Sequence, residues 1–163
     1  PAGNYGDTLS LRLYRAGGAA LGTVWTANAN AIVEKRAQVN IAGASSSWGA
    51  WSVDELDFHT LNNGETRSAN VQVRATTGVS IKVESQNLGK LKHKVLLADP
   101  GVLYGLKLNG TAMTLTGGSD TLAVPPPVSL DGTSYPMVVT IGDVSGRPSG
   151  TYKDLLTITV TPE

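Results

Sequence analysis

Apolar and polar residues alternate with a period of two from one end of the chain to the other. Leu9, Leu11 and Leu13 are interleaved with Ser10 and Arg12. Val71 and Val73 flank Gln72, and Val79, Ile81 and Val83 are separated by Ser80 and Lys82. Tyr104, Leu106 and Leu108 alternate with Gly105 and Lys107, and Leu156, Ile158 and Val160 with Thr157 and Thr159. Val33 opens a further segment that continues through Val39 and Ile41. Alternate side chains of an extended strand share a face, so each segment predicts a strand with one buried and one mostly polar face. Turn-forming pairs separate the segments, among them Asn63-Gly64, Thr77-Gly78, Asn109-Gly110, Asp131-Gly132 and Ser145-Gly146. Asn109-Gly110 is the strongest hairpin signal, because a two-residue type I′ turn needs positive φ at both central positions. The run Pro125-Pro126-Pro127 cannot donate to a ladder and reads as a loop. Lys90–Leu97 alone has a helical look, but it lacks a cap and predicts no more than a turn.

Many short strands, irregular spacing and long connections such as Gly117–Pro136 predict an all-β sandwich with Greek-key crossings rather than an up-and-down barrel. At least a third of the residues are expected in strands, with no helix longer than two turns. The composition agrees: 19 Gly and 8 Pro among 163 residues favour turns over helices. The length fits one domain of about 100–200 residues. Lys+Arg and Asp+Glu each number 13, and this balance argues against a nucleic-acid partner or a polybasic membrane patch. No apolar run approaches the roughly 18 residues of a membrane helix. The absence of cysteine excludes a disulfide framework, a Cys-ligated zinc and a Cys nucleophile. The start at Pro1 reads as a processed or truncated N-terminus.

The chain repeats its end at its beginning. Pro1-Ala2-Gly3-Asn4-Tyr5-Gly6-Asp7 leads into Leu9, Leu11 and Leu13, and Pro148-Ser149-Gly150-Thr151-Tyr152-Lys153-Asp154 leads into Leu156, Ile158 and Val160. The shared pattern is Pro-small-Gly-polar-Tyr-x-Asp followed by alternating aliphatics. Residues 1–13 therefore read as the last strand of a sandwich domain whose other strands are not in this sequence. A lone amphipathic strand cannot fold by itself and must dock on an open sheet edge.

The closing Gly150-Thr151-Tyr152-Lys153-Asp154 with Leu156-Thr157-Ile158-Thr159-Val160 resembles the terminal strand of spore coat protein U-like, Csu-type pilins. Those are subunits of archaic chaperone–usher surface fibres. Further segments are similar in order: Ala69–Ala75, Gly78–Ile81, Glu84–His93, Leu103–Gly110 and Tyr135–Gly142. The resemblance spans about residues 30–163. It implies an immunoglobulin-like Greek-key sandwich that lacks one strand and is completed by a donor strand from another subunit. It also implies a periplasmic chaperone and an usher as partners during assembly, a cell-surface location after transit through the periplasm, and a role in adhesion or biofilm. Members commonly carry a cysteine pair, and this chain departs from them in having none.

The expected organisation is a donor-like strand over residues 1–15, a flexible linker over 16–29 and the pilin-like domain over 30–163. Tyr5, Leu9, Leu11 and Leu13 are the expected donor contacts, and Leu156, Ile158 and Val160 line the expected acceptor groove. An alternative role is a tip adhesin module, part of a two-domain subunit, that binds a sugar or an abiotic surface. Trp48 and Trp51 are the candidates for its binding surface, with core packing as the competing reading.

No residue set predicts an enzyme or a cofactor. His59 and His93 each lack a second ligand at metal spacing. Asp54, Glu55 and Asp57 form a small acidic cluster, but a glycosidase pair needs a pocket with a carboxylate across it. Lys90, Lys92 and Lys94 alternate as on a solvated strand face that discourages edge pairing.

Overall fold

The computed structural model describes residues 1–42, 48, 53–127, 129 and 131–163. It contains twelve strands among the described residues: β1 (Gly3–Tyr14), β2 (Ala20–Val33), β3 (Ala37–Ile41), β4 (Thr66–Ala75), β5 (Val79–Ser85), β6 (Lys90–His93), β7 (Val102–Leu108), β8 (Thr111–Met113), β9 (Ser119–Val124), β10 (Thr133–Ile141), β11 (Tyr152–Lys153) and β12 (Leu156–Pro162). One 3-10 turn, Leu115–Gly117, precedes β9. Strands hold 57% of the described residues, well above the expected third. The segment Lys90–Leu97 contributes β6 and no helix.

Residues 37–163 fold as an immunoglobulin-like sandwich of two antiparallel sheets. The larger sheet runs β11-β6-β7-β10-β4-β3, with β8 pairing β7. The smaller runs β12-β5-β9. The predicted alternation decides which residues face inward. Val71 and Val73 of β4, Val79, Ile81 and Val83 of β5, and Leu106 and Leu108 of β7 are all in the core. The β7–β8 hairpin turns at Asn109 (φ 50°) and Gly110 (φ 79°), both in the left-handed region that a type I′ turn requires.

The opening of the chain differs from expectation. Residues 16–29 are not a linker: β2 starts at Ala20 and pairs antiparallel with β1 from Gly3↔Val33 to Tyr14↔Ala20. The turn lies over residues 15–19, where the Arg15 carbonyl accepts from the Gly18 N–H and the Arg15 N–H donates to the Ala19 carbonyl. The pattern Thr26-Ala27-Asn28-Ala29-Asn30-Ala31 has a period of two, but alanine is a weak marker of a buried face. Nor does Val33 lead continuously to Val39. The strand breaks at residues 34–36, and the sandwich proper begins at Ala37.

Candidate functional site

Burial falls away toward one edge of the sandwich from both sheets. In the smaller sheet, Val79, Ile81 and Val83 of the central β5 are 0% exposed. Their neighbours on β12, Leu156, Ile158 and Val160, point to the same core yet remain half-buried. In the larger sheet, Val71 and Val73 of β4 are 0% exposed. Val39 and Ile41 of the adjoining β3 are half-buried. β12 and β3 are the terminal strands of their sheets, and they come alongside each other with no ladder between them. Among the described residues no strand bridges the two, and the seam between them has a floor of apolar core and the outer edges of β12 and β3 as its walls.

A polar node holds β12 in place at the start of this seam. Asp154, one residue before Leu155, accepts from Ser85 Oγ at 2.6 Å, Tyr104 Oη at 2.5 Å and the Asn87 N–H at 3.0 Å. Ser85 belongs to the small sheet and Tyr104 to the large one, so one carboxylate ties both layers to the head of β12. Ser85 Oγ also accepts from the Gly89 N–H at 2.7 Å. Burial, and then the hydrogen bond to Asp154, pushes the Tyr104 hydroxyl well above its ordinary pKa. The folded state thus holds a proton that the unfolded tyrosine loses above about pH 10. Its contribution to stability is full below that pH and declines as pH rises toward the folded value. Tyr104→Phe is expected to flatten part of the alkaline loss of stability, measured by urea unfolding between pH 8 and 11. Tyr135, also raised by burial, retains part of that slope.

Just upstream, Gly150 gives His93 room. A Cβ on Gly150 would lie 2.1 Å from His93 Nε2. His93 is buried, and its Nδ1 accepts from the N–H groups of Val95 (3.1 Å) and Leu96 (2.8 Å). That leaves the ring proton on Nε2, 3.3 Å from the Ser149 carbonyl. The ring meets Tyr152 edge-on at 5.0 Å. His93 is thus a structural residue that braces the approach to β12. His59 is exposed and pairs with Asp57 at 2.9 Å. Asp54, Glu55 and Asp57 are all exposed, with Glu55 3.7 Å from Lys153. No group of three or more His, Asp or Glu side chains converges among the described residues.

Trp48 is half-buried under the Arg74 guanidinium, 4.2 Å from its ring centroid, and Trp51 lies outside the described residues. Tyr5, Leu9, Leu11 and Leu13 sit on β1, all exposed. The two copies share local hydrogen bonds and one backbone angle, although β1 runs through Asp7 without a break while the strand at the end of the chain is interrupted at residues 154–155. Tyr5 Oη donates to the Pro1 carbonyl at 2.7 Å, and Tyr152 Oη to the Pro148 carbonyl at 2.8 Å. Gly3 and Gly150 both have φ 154°. Asp7 Oδ1 accepts from the next residue's N–H at 2.8 Å, and Asp154 Oδ1 does the same at 2.8 Å.

The sequence pattern marked β12 as a strand with an inward face of Leu156, Ile158 and Val160, and gave no sign that β3 lies alongside it. Val39 and Ile41 carried a strand signal, but nothing in it placed β3 opposite β12. The Asp154 node was also missed, although the recurrence of Asp7 and Asp154 in the repeat marked the position.

Neither a protein-family model nor a curated protein matches the sequence. Among solved structures, one described as a chaperone–tip adhesin complex vital for synergistic activation of CFA/I fimbriae biogenesis is similar over 99% of this chain, with TM-score 0.51 and 17% identity. This chain spans 53% of that chain's length. At this identity the likeness is one of fold: the immunoglobulin-like sandwich recurs in a protein of a fimbrial assembly system.

Proposed function

We propose that this chain is a structural subunit of an extracellular fibre of the Csu-type, archaic chaperone–usher class, assembled by donor-strand exchange. The observation that carries the reading is the seam between β12 and β3, where core-facing Leu156, Ile158, Val160, Val39 and Ile41 are left half-covered. A missing strand is what such a seam fits. Backbone pairing along β12 supplies hydrogen bonds, and alternate side chains of the incoming strand fill the apolar floor. The fold likeness to a chaperone–tip adhesin complex supports the same class. On this reading the partners are neighbouring subunits in the fibre, with a periplasmic chaperone and an usher before it. The chain is exported through the periplasm to the cell surface, where it serves adhesion or biofilm, and it performs no catalysis.

Negative-stain microscopy of the protein drawn from its native cell surface tests this. Long, thin filaments that carry the chain are expected. Native material found only as dispersed monomers would count against the fibre reading.

A further inference from the structure

The loop from β6 to β7 holds an apolar tip out into water. Val95, Leu96 and Leu97 follow one another in the chain and are 75%, 48% and 85% exposed. A row of large aliphatic side chains at a loop tip is not explained by turn chemistry, which favours small and polar residues. Nor is the loop loosely tethered. The buried His93 accepts from the N–H groups of both Val95 and Leu96 through Nδ1. The Leu97 N–H donates to the Val95 carbonyl at 3.1 Å, and the Asp99 N–H to the Leu96 carbonyl at 3.0 Å. Lys92 Nζ reaches from β6 to the Asp99 carbonyl at 3.1 Å. The tip is thus fixed with its side chains outward.

The sheet face beside the tip is basic. Alternate residues of a strand share a face, so Lys90 and Lys92 point away from the core while Leu91 packs against it. Lys94 continues the row, its N–H donating to the Thr151 carbonyl at 2.8 Å. The register sets Lys153 of β11 directly opposite Lys92, and Leu103 of β7, 52% exposed, directly opposite Lys90. Like charges set opposite each other are destabilising, and little offsets them here. Among the described residues no carboxylate pairs with Lys90, Lys92 or Lys94, and Glu55 stands 3.7 Å from Lys153. Asp99, at the end of the loop, is turned inward with its side chain 5% exposed. Its Oδ2 accepts from the Gly101 N–H at 2.9 Å, and its Oδ1 lies 3.8 Å from Arg147 Nη1. The even count of acids and bases over the whole chain therefore conceals a local excess of positive charge beside exposed aliphatic residues.

We propose that this surface docks the protein peripherally on an anionic lipid membrane. Exposed aliphatic residues mark a contact with something apolar, and the lysines beside them match acidic headgroups. Val95, Leu96 and Leu97 enter between the headgroups. Lys90, Lys94 and Lys153 lay their aliphatic stems along the interface and present their ammonium groups to the phosphates. A soluble acidic polymer would use the lysines and leave the aliphatic tip wet. An uncharged apolar surface would use the tip and leave the lysines unmatched. The patch is made by β6, β11 and the loop, whereas the seam lies between β12 and β3, so docking does not depend on the strand-exchange reading.

Flotation with lipid vesicles tests the assignment on the 163-residue protein. Binding is expected to vesicles of mixed phosphatidylglycerol and phosphatidylcholine, and is expected to weaken with phosphatidylcholine alone or in high salt. Val95→Ser combined with Leu97→Ser should weaken binding about 100-fold. Lys90→Gln combined with Lys94→Gln should weaken it about 20-fold, while Lys90→Arg with Lys94→Arg preserves it. Leu11→Ser, on the exposed leading hairpin, should change nothing. The assignment is overturned if the protein ignores anionic vesicles or binds neutral ones equally well. It is also overturned if Leu11→Ser releases the protein and the loop variant does not, which would place the contact on the hairpin. Loss of binding in the lysine variant with full binding in the loop variant overturns it too, and would point to an acidic polysaccharide instead.

Discussion

Ile158→Asp is expected to abolish assembly into fibres, whereas Thr159→Asp on the same strand leaves it intact. Ile158 faces the core and stands half-covered at the open seam, between Leu156 and Val160. Thr159 points the other way and is exposed. An added strand that covers large aliphatic side chains contributes about 1.5–3 kcal/mol for each one fully buried. A carboxylate in their midst must be desolvated or protonated, which costs several kcal/mol. Each 1.4 kcal/mol is a factor of about ten in affinity, so strand binding should fall by roughly three orders of magnitude. The pair of variants differs only in which face of β12 is charged. Equal assembly of both, measured by sedimentation of polymer from monomer, would show that the apolar face of β12 is not used. Because Ile158 is only partly covered in the free subunit, the variant should still unfold cooperatively, and urea unfolding of the monomer checks this.

The second large effect is on the fold. Asp154→Ala should destabilise the chain by about 3–5 kcal/mol, a sizeable part of the 5–15 kcal/mol typical of a domain. The change strands the hydroxyls of Ser85 and Tyr104, both buried, and the N–H of Asn87. A buried polar group left without its partner costs about 1–3 kcal/mol. Asp154→Asn keeps an acceptor oxygen and should recover part of the loss. Urea unfolding of the three proteins measures it, and a loss below about 1 kcal/mol for the alanine variant would show that the node does not hold β12. The node ties the head of β12 to both sheets, through Ser85 of one and Tyr104 of the other.

How much of this was legible beforehand depended on where the partners lay along the chain. Strands β4, β5, β7 and β12 stand out because valine, isoleucine and leucine alternate with polar residues, and the β7–β8 turn because Asn-Gly tolerates positive φ twice in succession. β2 was misread as linker because its alternation is written in alanine, asparagine and threonine, whose burial preferences differ little. The expectation of a groove beside Leu156, Ile158 and Val160 came from the resemblance of the closing strand, and those residues lie half-buried on the terminal strand of the smaller sheet. The opposite wall was not legible, since no local pattern says which strand ends the other sheet. The Asp154 node joins residues 69, 67 and 50 positions apart, and only the fold brings them together. The repeat was plain in the residues, but the exposed, two-stranded face it belongs to appears only once β2 is seen beside β1.

The central claim is that the seam between β12 and β3 receives a strand from another subunit. A cryo-electron microscopy reconstruction of the native fibre tests it most directly. The account predicts one extra strand lying along β12, with alternate side chains seated against Leu156, Ile158 and Val160. Subunits joined through other faces, with the seam left open or with β12 and β3 zipped directly together, would contradict it.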